Sequence, residues 1–115
     1  MTPFYAAVTA GESGPVIALS GEADLTVVPV LEEVLGTQIS SGARLVTMDL
    51  SELAFADSAT IGALLRASRV LRDLGGGLEL RDPQPAVART LQLLGVDQVL
   101  PVRGEASLPH PPPGT

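Results

Sequence analysis

The sequence predicts an α/β fold, a single domain in which helices flank a mixed sheet of four or five strands. Short runs in which apolar and polar residues alternate indicate strands, and longer runs with apolar residues three or four positions apart indicate helices. The two kinds of run follow one another in the order β-β-α-β-α-β-α-β. Strands separated by helices favour parallel neighbours, so only the opening pair is expected to be antiparallel.

The chain opens with a predicted β-hairpin. Residues 4–8 and 16–20 are short, mainly apolar runs, and the turn-forming residues 11–15 separate them. Residues 21–24 then break the strand pattern.

A first helix is predicted from about Thr26 to the Ser40-Ser41-Gly42 sequence that ends it. Pro29 fits its first turn, where a missing N–H costs no hydrogen bond. The residues at helical spacing, which should face the core, are Val27, Val30, Leu31, Val34, Leu35 and Ile39.

The segment from residue 45 to residue 74 organises the chain. Residues 45–50 alternate as a strand, and residues 55–60 form a short polar elbow that leads into a second helix. The apolar face predicted for this helix consists of Ile61, Leu64, Leu65, Ser68, Leu71 and Leu74.

Hydroxyl groups lie close to the predicted start of the second helix. Asp57 and Ser58 are both good N-cap residues, because a side-chain oxygen there accepts a hydrogen bond from a free backbone N–H. The hydroxyls of Ser58 and Thr60 would then lie at the positive end of the helix dipole. A phosphate is well tolerated there, and a partner protein can sense it.

The last third of the domain repeats the alternation of strand and helix. Glycines at 75–77 end the second helix, residues 78–81 form a strand, residues 86–94 form a third helix, and residues 99–102 form an edge strand. The residues of the third helix predicted to face inward are Val87, Leu91 and Leu94.

A domain of residues 1–102 is therefore followed by a short tail. Residues 103–115 have little to bury, and they include Pro109, Pro111, Pro112 and Pro113. This composition is typical of a disordered segment.

Composition favours a soluble cytoplasmic protein without disulfides. The chain has 115 residues, of which 45% are hydrophobic and 3% aromatic, and it has no cysteine. No apolar run approaches the length of about 18 residues that spans a membrane. The first residues carry no basic segment, so a secretory signal is not expected.

Charge and residue types argue against nucleic-acid binding and catalysis. The net charge is −6, and the chain has seven arginines and no lysine, whereas nucleic-acid binding requires clustered cations that neutralise phosphates. The only histidine, His110, lies in the Pro-rich tail, so the ordered chain cannot build a Ser-His-Asp triad. A Walker A loop requires a lysine. We expect no enzyme activity, no catalytic residues and no cofactor.

Three aspartates are candidate metal ligands. Asp24, Asp49 and Asp57 could form an acidic magnesium site. The favoured alternative is that Asp24 and Asp57 cap helices and that Asp49 ends a strand. No metal is therefore expected.

Five short motifs resemble the STAS family, the sulfate transporter and anti-sigma factor antagonist domains of bacteria. The similarity extends over roughly residues 4–102. The motifs, in chain order, are LSGEAD at 19–24, DLS at 49–51, FADS at 55–58, GGGL at 75–78 and PAVAR at 85–89.

The resemblance implies a mixed sheet flanked by helices and a role in transcription regulation. In the antagonists of this family, the unphosphorylated protein binds an anti-sigma factor that is also a serine kinase, and so frees the sigma factor. Phosphorylation in the elbow motif Asp-Ser-Ser/Thr-Gly disrupts that binding, usually at the residue two positions after the aspartate.

This chain departs from the family motif at the acceptor. Aligning Asp57 and Ser58 puts Ala59 at the acceptor position and Thr60 where the family has glycine. Alanine has no hydroxyl, so the neighbouring phosphorylation candidates are Ser58 and Thr60. The resemblance therefore implies a binding protein whose phosphorylation switch is atypical or lost.

The resemblance also implies a partner-binding surface on the elbow and the second helix. Helical spacing puts Gly62, Arg66, Arg69 and Asp73 on one stripe away from the apolar face, and a merely solvated face is the alternative. The residues assigned to the surface are Asp24, Asp57, Ser58, Ala59, Thr60, Gly62, Arg66 and Arg69.

Two other functions stay open. One is a non-switching accessory subunit of a transporter or a stress-signalling complex. The other is binding of a small ligand or a nucleotide at the elbow, where backbone N–H groups could hold an anion. The oligomeric state does not follow from the sequence.

Overall fold

The computed structural model describes residues 2–104, which form a five-stranded sheet with helices packed against it. The strands are β1 Tyr5–Ala10, β2 Pro15–Ala23, β3 Leu45–Ala56, β4 Gly77–Arg81 and β5 Val102–Arg103. The helices are α1 Val28–Ser40, α2 Ser58–Asp73 and α3 Pro85–Leu93, and two short 3₁₀ turns cover Leu25–Val27 and Val96–Gln98.

The sheet keeps its strands in chain order, β1-β2-β3-β4-β5. β1 is antiparallel to β2, and each later strand is parallel to the one before it. The predicted fold class, the element order and the antiparallel opening hairpin are thus confirmed.

One face of the sheet forms the core. Along β2, β4 and β3 as far as Leu50, every second residue is buried, and the residues between are more accessible to solvent. The buried residues of this face include Ile17, Leu19, Val46, Met48, Leu50, Leu78 and Leu80. Leucine, isoleucine and valine side chains from all three α-helices complete the same cluster, as expected for a chain with few aromatic residues.

β3 extends six residues beyond its predicted end at Leu50. Its register against β2 shifts twice, because Ala18 pairs with Asp49 but Ser20 pairs with Glu52, and a second shift follows Gly21. Each shift inserts an extra residue in β3, as in a β-bulge. The extra residues destroy the two-residue alternation after Leu50, and alternation was the signal that defined the strand.

β2 also continues through residues that were predicted to break it. Gly21 lies inside the strand with φ +86°, and a Cβ built there would lie 1.9 Å from the carbonyl oxygen of Pro3. The backbone N–H of Glu22 donates to the carbonyl of Thr2 at 3.3 Å. Glycine at 21 therefore permits a close strand contact and does not end the strand.

The predicted apolar faces are wrong at some positions. Leu74 and Leu94 are each about half exposed, at 45% and 49%, because they are the C-caps of α2 and α3 and the helical period has ended there. Val30 is 49% exposed, at the margin of the α1 stripe centred on Leu31 and Leu35. Other predicted core positions are only partly buried, namely Val27, Val34, Ile39 and Leu65.

The last strand is shorter and later than predicted. Val99 and Leu100 donate backbone hydrogen bonds to Val96, so they close a 3₁₀ turn and do not extend as a strand. β5 includes Arg103, which the sequence had assigned to the tail. Residues 105–115 lie outside the described part of the chain, so disorder there stays a prediction.

Between residues 2 and 104, no helix has the length and apolar character needed to cross a membrane.

Candidate functional site

The elbow lies where β3 ends and α2 begins. Asp57 is the N-cap of α2, and its Oδ1 accepts a hydrogen bond from the backbone N–H of Thr60 at 2.9 Å. The backbone N–H of Asp57 donates to the carbonyl of Ala23 at 3.1 Å. The predicted capping role of Asp57 is confirmed, and the same residue ties the start of α2 to the end of β2.

A second cap lies on the neighbouring segment. Asp24 caps the 3₁₀ turn that precedes α1, and its Oδ1 accepts hydrogen bonds from the hydroxyl and the backbone N–H of Thr26. These two hydrogen bonds hold the pKa of Asp24 below its usual value. The carboxylate is therefore ionised at neutral pH beside the elbow.

Thr60 connects these two caps. Its side chain is fully buried, and its hydroxyl donates to the carbonyl of Asp24 at 3.3 Å. This geometry argues against Thr60 as a phosphate acceptor or as a partner contact, because a kinase and a partner both require access to the side chain. The spacing along the helix had not revealed this, since the contact is to a residue 36 positions away.

Ser58 and Ala59 are the accessible residues of the elbow at the start of α2. Ser58 is exposed as the first residue of α2, and Ala59 is half-buried next to it. Of the two predicted acceptors, only Ser58 therefore has an accessible hydroxyl. It adjoins the Asp57 carboxylate and lies at the positive end of the α2 dipole.

The stripe predicted on α2 does face away from the core. Arg66, Arg69 and Asp73 are exposed, and Gly62 is half-buried. A Cβ built on Gly62 would meet only the Arg66 guanidinium, at 3.4 Å, so the helix surface is bare there. Arg66 forms an exposed ion pair with Glu32 of α1 at 3.2 Å, a contact of the kind that stabilises a fold by less than about 1 kcal/mol.

Two exposed apolar side chains, one beside the elbow and one at its first residue, were not predicted from the sequence to be partner contacts. Leu25, which follows Asp24 in the 3₁₀ turn, is 67% exposed, and Phe55, two residues before Asp57, is 48% exposed. The 3₁₀ turn packs against α2. The only sequence signal was that neither residue belongs to a helical or strand period. Exposed apolar side chains next to charged groups are typical of a protein-binding surface.

The third aspartate considered for a metal site has a structural role. Asp49 lies inside β3, not at its end, where its carboxylate accepts from the backbone N–H of Ser51 at 3.0 Å and from Arg81 of β4 at 3.3 Å. Partial burial raises the pKa of Asp49, but the hydrogen bonds from Ser51 and Arg81 outweigh it, and the net pKa is lowered. In the described residues, no three acidic or histidine side chains are grouped as metal ligands.

The STAS_2 family model, described as "Mlab, STAS domain", matches residues 6–102. No curated protein matches the chain.

Several solved structures are similar to the chain. An anti-sigma factor antagonist from Mycobacterium paratuberculosis shares 25% identity with a TM-score of 0.80, over 87% of this chain and 85% of that one. The anti-sigma factor antagonist SpoIIAA in its unphosphorylated form shares 27% identity with a TM-score of 0.73, over 90% of both chains. The Bacillus cell fate determinant SpoIIAA in its phosphorylated form shares 26% identity with a TM-score of 0.67, over 90% of this chain and 93% of that one.

Proposed function

The chain belongs to the STAS domain family, and from that premise we propose that it is an anti-sigma factor antagonist-like protein whose phosphorylation switch is altered or lost. In this proposal it binds an anti-sigma factor that is also a serine kinase, in the cytoplasm, and so regulates sigma-factor-dependent transcription. The elbow, the exposed stripe of α2 and the adjoining 3₁₀ turn form the contact surface.

The observation that carries the proposal is the accessibility of the elbow. Ser58 is exposed at the start of α2, while Asp57 and Thr60 hold the backbone of the elbow with hydrogen bonds at 2.9 and 3.3 Å. A rigid backbone that presents small side chains allows a partner to approach closely, and little conformational entropy is lost on binding. The similar SpoIIAA structures include one in the phosphorylated form.

The switch depends on Ser58 in this proposal. A phosphate adds up to about two negative charges at neutral pH. On Ser58 these charges would be tolerated by the α2 dipole, yet they would lie beside the Asp57 carboxylate in the middle of the contact surface. Phosphorylation would then leave the fold intact and oppose docking, because the partner would have to desolvate the added charge.

Copurification from the source organism, followed by mass spectrometry, tests the partner class. We expect the wild-type protein to retain a kinase-type anti-sigma factor. Ser58→Asp should weaken its binding at least about tenfold, a loss of about 1.4 kcal/mol, and Ser58→Ala should change it little. Recovery of a partner without a kinase domain would overturn the proposal.

Phosphorylation by that kinase tests the switch. Wild-type protein should take phosphate on Ser58 or on no residue, and Ala59→Ser should gain a phosphate on residue 59, where the family has its acceptor. A phosphate on Thr60 would contradict the burial of its hydroxyl. An Ala59→Ser variant that stays unmodified would argue against a kinase partner.

The stripe of α2 is tested by charge reversal. Arg69 is exposed, so Arg69→Glu should leave the melting temperature nearly unchanged and should weaken partner binding. Arg89→Glu, an exposed arginine on α3, is the matched control and should bind as the wild type does. Equal affinities of both variants would remove Arg69 from the interface.

A second candidate function is a non-switching accessory subunit of a transporter or a stress-signalling complex. The specific observation in its favour is Ala59, which removes the hydroxyl at the family's acceptor position. The description of the matching family model, "Mlab, STAS domain", is a further reason to keep it. Constitutive binding that neither kinase nor Ser58→Asp affects would support this function.

A further inference from the structure

The two edges of the sheet differ in how they are protected. β5 has only two residues, Val102 and Arg103; Pro101 precedes it, and the Arg103 guanidinium pairs with Glu79 at 2.7 Å. Short length, charge and proline are the usual devices that prevent an edge strand from pairing with another chain. The β5 edge is therefore protected.

The β1 edge has none of these devices within the strand. β1 has the sequence YAAVTA over six residues, and five of the six are exposed. It contains no charged residue, no proline and no glycine, and its pairing with β2 is regular along its whole length. In the described part of the chain, β1 pairs with β2 and with no other strand.

The exposed side chains of β1 are apolar or small on both faces of the sheet. Tyr5 is 69% exposed and Val8 is 43% exposed. Val8 pairs with Ile17 of β2, so its side chain lies on the same face of the sheet as the core. At the edge strand, however, the helices do not bury it fully. Tyr5 pairs with Ser20, on the opposite face. An added strand would cover both.

We infer that β1 is a self-association edge, at which a second copy of this chain adds its own β1 in antiparallel orientation. The result is a two-fold symmetric dimer with a continuous sheet. This inference is independent of the partner and the switch proposed above.

The two-fold axis restricts the register. When the axis is perpendicular to the sheet, the helices of both copies lie on the same side, and residues that oppose each other must belong to the same face. With the axis at Ala7, Tyr5 opposes Thr9 of the second copy, and Ala6 opposes Val8 of the second copy. An aromatic ring against a β-branched residue, and alanine against valine, are favourable cross-strand pairs.

Charge favours an identical strand as the occupant. The chain carries −6 overall, but β1 itself is uncharged, so two copies can approach along this edge. The nearest acidic residue after the strand is Glu12, and in the Ala7 register it opposes Thr2 of the second copy and not its own counterpart. No like-charge pair is formed along the new ladder.

The small area of this contact predicts a weak affinity between the two copies. Pairing six-residue strands buries less than the standard interface of about 1,600 Å². We therefore expect a dimer that forms at high protein concentration and dissociates on dilution.

Sedimentation equilibrium from about 1 μM to about 1 mM is the test. The apparent mass of the chain of residues 1–115 should rise from the monomer value of 11.8 kDa toward twice that value. Val8→Lys puts a charge on each strand near the axis and should weaken association at least about tenfold. Thr9→Lys, on the other face of the same strand, should also weaken association at least about tenfold. This second variant tests the inference even if Val8→Lys does not fold.

Leu93→Lys is the matched control, since Leu93 is an apolar residue 79% exposed on α3, away from β1. It should associate as the wild type does. A chain that stays monomeric at the highest concentration would overturn the inference, and so would equal weakening by Leu93→Lys and Val8→Lys. Dimerisation only after removal of residues 105–115 would also overturn the inference, because it would show that the tail of the same chain, and not a second copy, binds to the β1 edge.

Discussion

The Asp49 carboxylate joins two strands at the point where β3 begins to bulge. It accepts from the backbone N–H of Ser51 at 3.0 Å on its own strand and from Arg81 at 3.3 Å on β4. The alternation of residues 45–50 predicted the strand, but a bulge and a cross-strand arginine cannot be deduced from alternation. The sequence therefore predicted that Asp49 ends the strand. In the structure Asp49 lies inside β3, where its carboxylate links β3 to β4 through Arg81.

A pH dependence of stability follows from the lowered pKa of Asp49. The folded state binds a proton less readily than the unfolded state, whose value is near 3.8. The stabilisation is therefore fully present above that pKa and is lost as the pH falls through the lower folded value. The unfolding free energies of wild type and Asp49→Asn should differ most at neutral pH and converge as the pH falls below 3.8, through the lowered pKa of the folded state.

Urea unfolding at several pH values measures this difference. Asp73→Asn, at the exposed end of α2, is the control and should track the wild type. A difference between wild type and Asp49→Asn that does not change with pH would show that packing at this position matters and that its charge does not.

Thr60 shows how one buried contact changes a functional assignment. Its position in the sequence predicted an accessible hydroxyl on the elbow. In the structure this hydroxyl is buried and donates a hydrogen bond to the backbone carbonyl of Asp24. Capping by Asp57 was predictable, because the capping carboxylate and the backbone N–H that donates to it are only three residues apart. The Thr60 contact was not, because it joins residues that only the folded chain brings together.

α2 is the element whose pattern the sequence predicted best. The residues Ile61, Leu64, Ser68 and Leu71 are all nearly inaccessible. Leu65 was expected to share their face, yet it is only partly buried. One residue corresponds to a rotation of about 100°, so Leu65 lies at the margin of the apolar stripe.

The two adjacent leucines of α2 should therefore differ in their contribution to stability. Leu64 is 1% exposed, and Leu64→Ala should cost about 2–5 kcal/mol through lost burial and the cavity that remains. Leu65→Ala should cost less than about 2 kcal/mol, because part of its surface already contacts water.

Chemical denaturation of both variants measures these costs, and each variant is the control for the other, since both make the same substitution in the same helix. Equal losses of unfolding free energy would show that Leu64 and Leu65 are buried to the same extent, contrary to the exposure in the structure.

At the scale of the whole molecule, the last strand ends at Arg103, one residue beyond the predicted edge strand. Arg103 pairs with Glu79 at 2.7 Å, and its carbonyl accepts from the backbone N–H of Asp82 at 2.7 Å. Charged and Pro-rich residues look alike at the end of a domain, so composition assigned Arg103 to the tail. The sheet hydrogen bond places it in the domain.

Truncation of the tail tests this boundary. Removal of residues 105–115 should change the unfolding free energy by less than about 1 kcal/mol, as expected for residues outside the core. Removal from Arg103 onward also deletes the ion pair and the sheet hydrogen bond, and it should lower the melting temperature further. A large decrease on removal of residues 105–115 alone would show that the tail docks on the domain.

The sequence by itself determined the fold class, the order of the elements, the cap at Asp57 and the family. These depend on local periods, turn residues and short motifs, all of which act between residues a few positions apart. The same local information shows that Ala59 cannot accept a phosphate, because that depends only on its chemistry.

The tertiary structure decided the length of β2 and β3, the burial of Thr60, the pairing of Asp49 with Arg81 and the exposure of Leu25 and Phe55. Each of these depends on contacts between segments that are distant in the chain. Bulges arise only when two strands pair, and a hydroxyl is buried only when another segment covers it. Packing therefore leaves Ser58 and Ala59 accessible at the start of α2, whereas the hydroxyl of Thr60, the next residue in the chain, is buried against the carbonyl of Asp24.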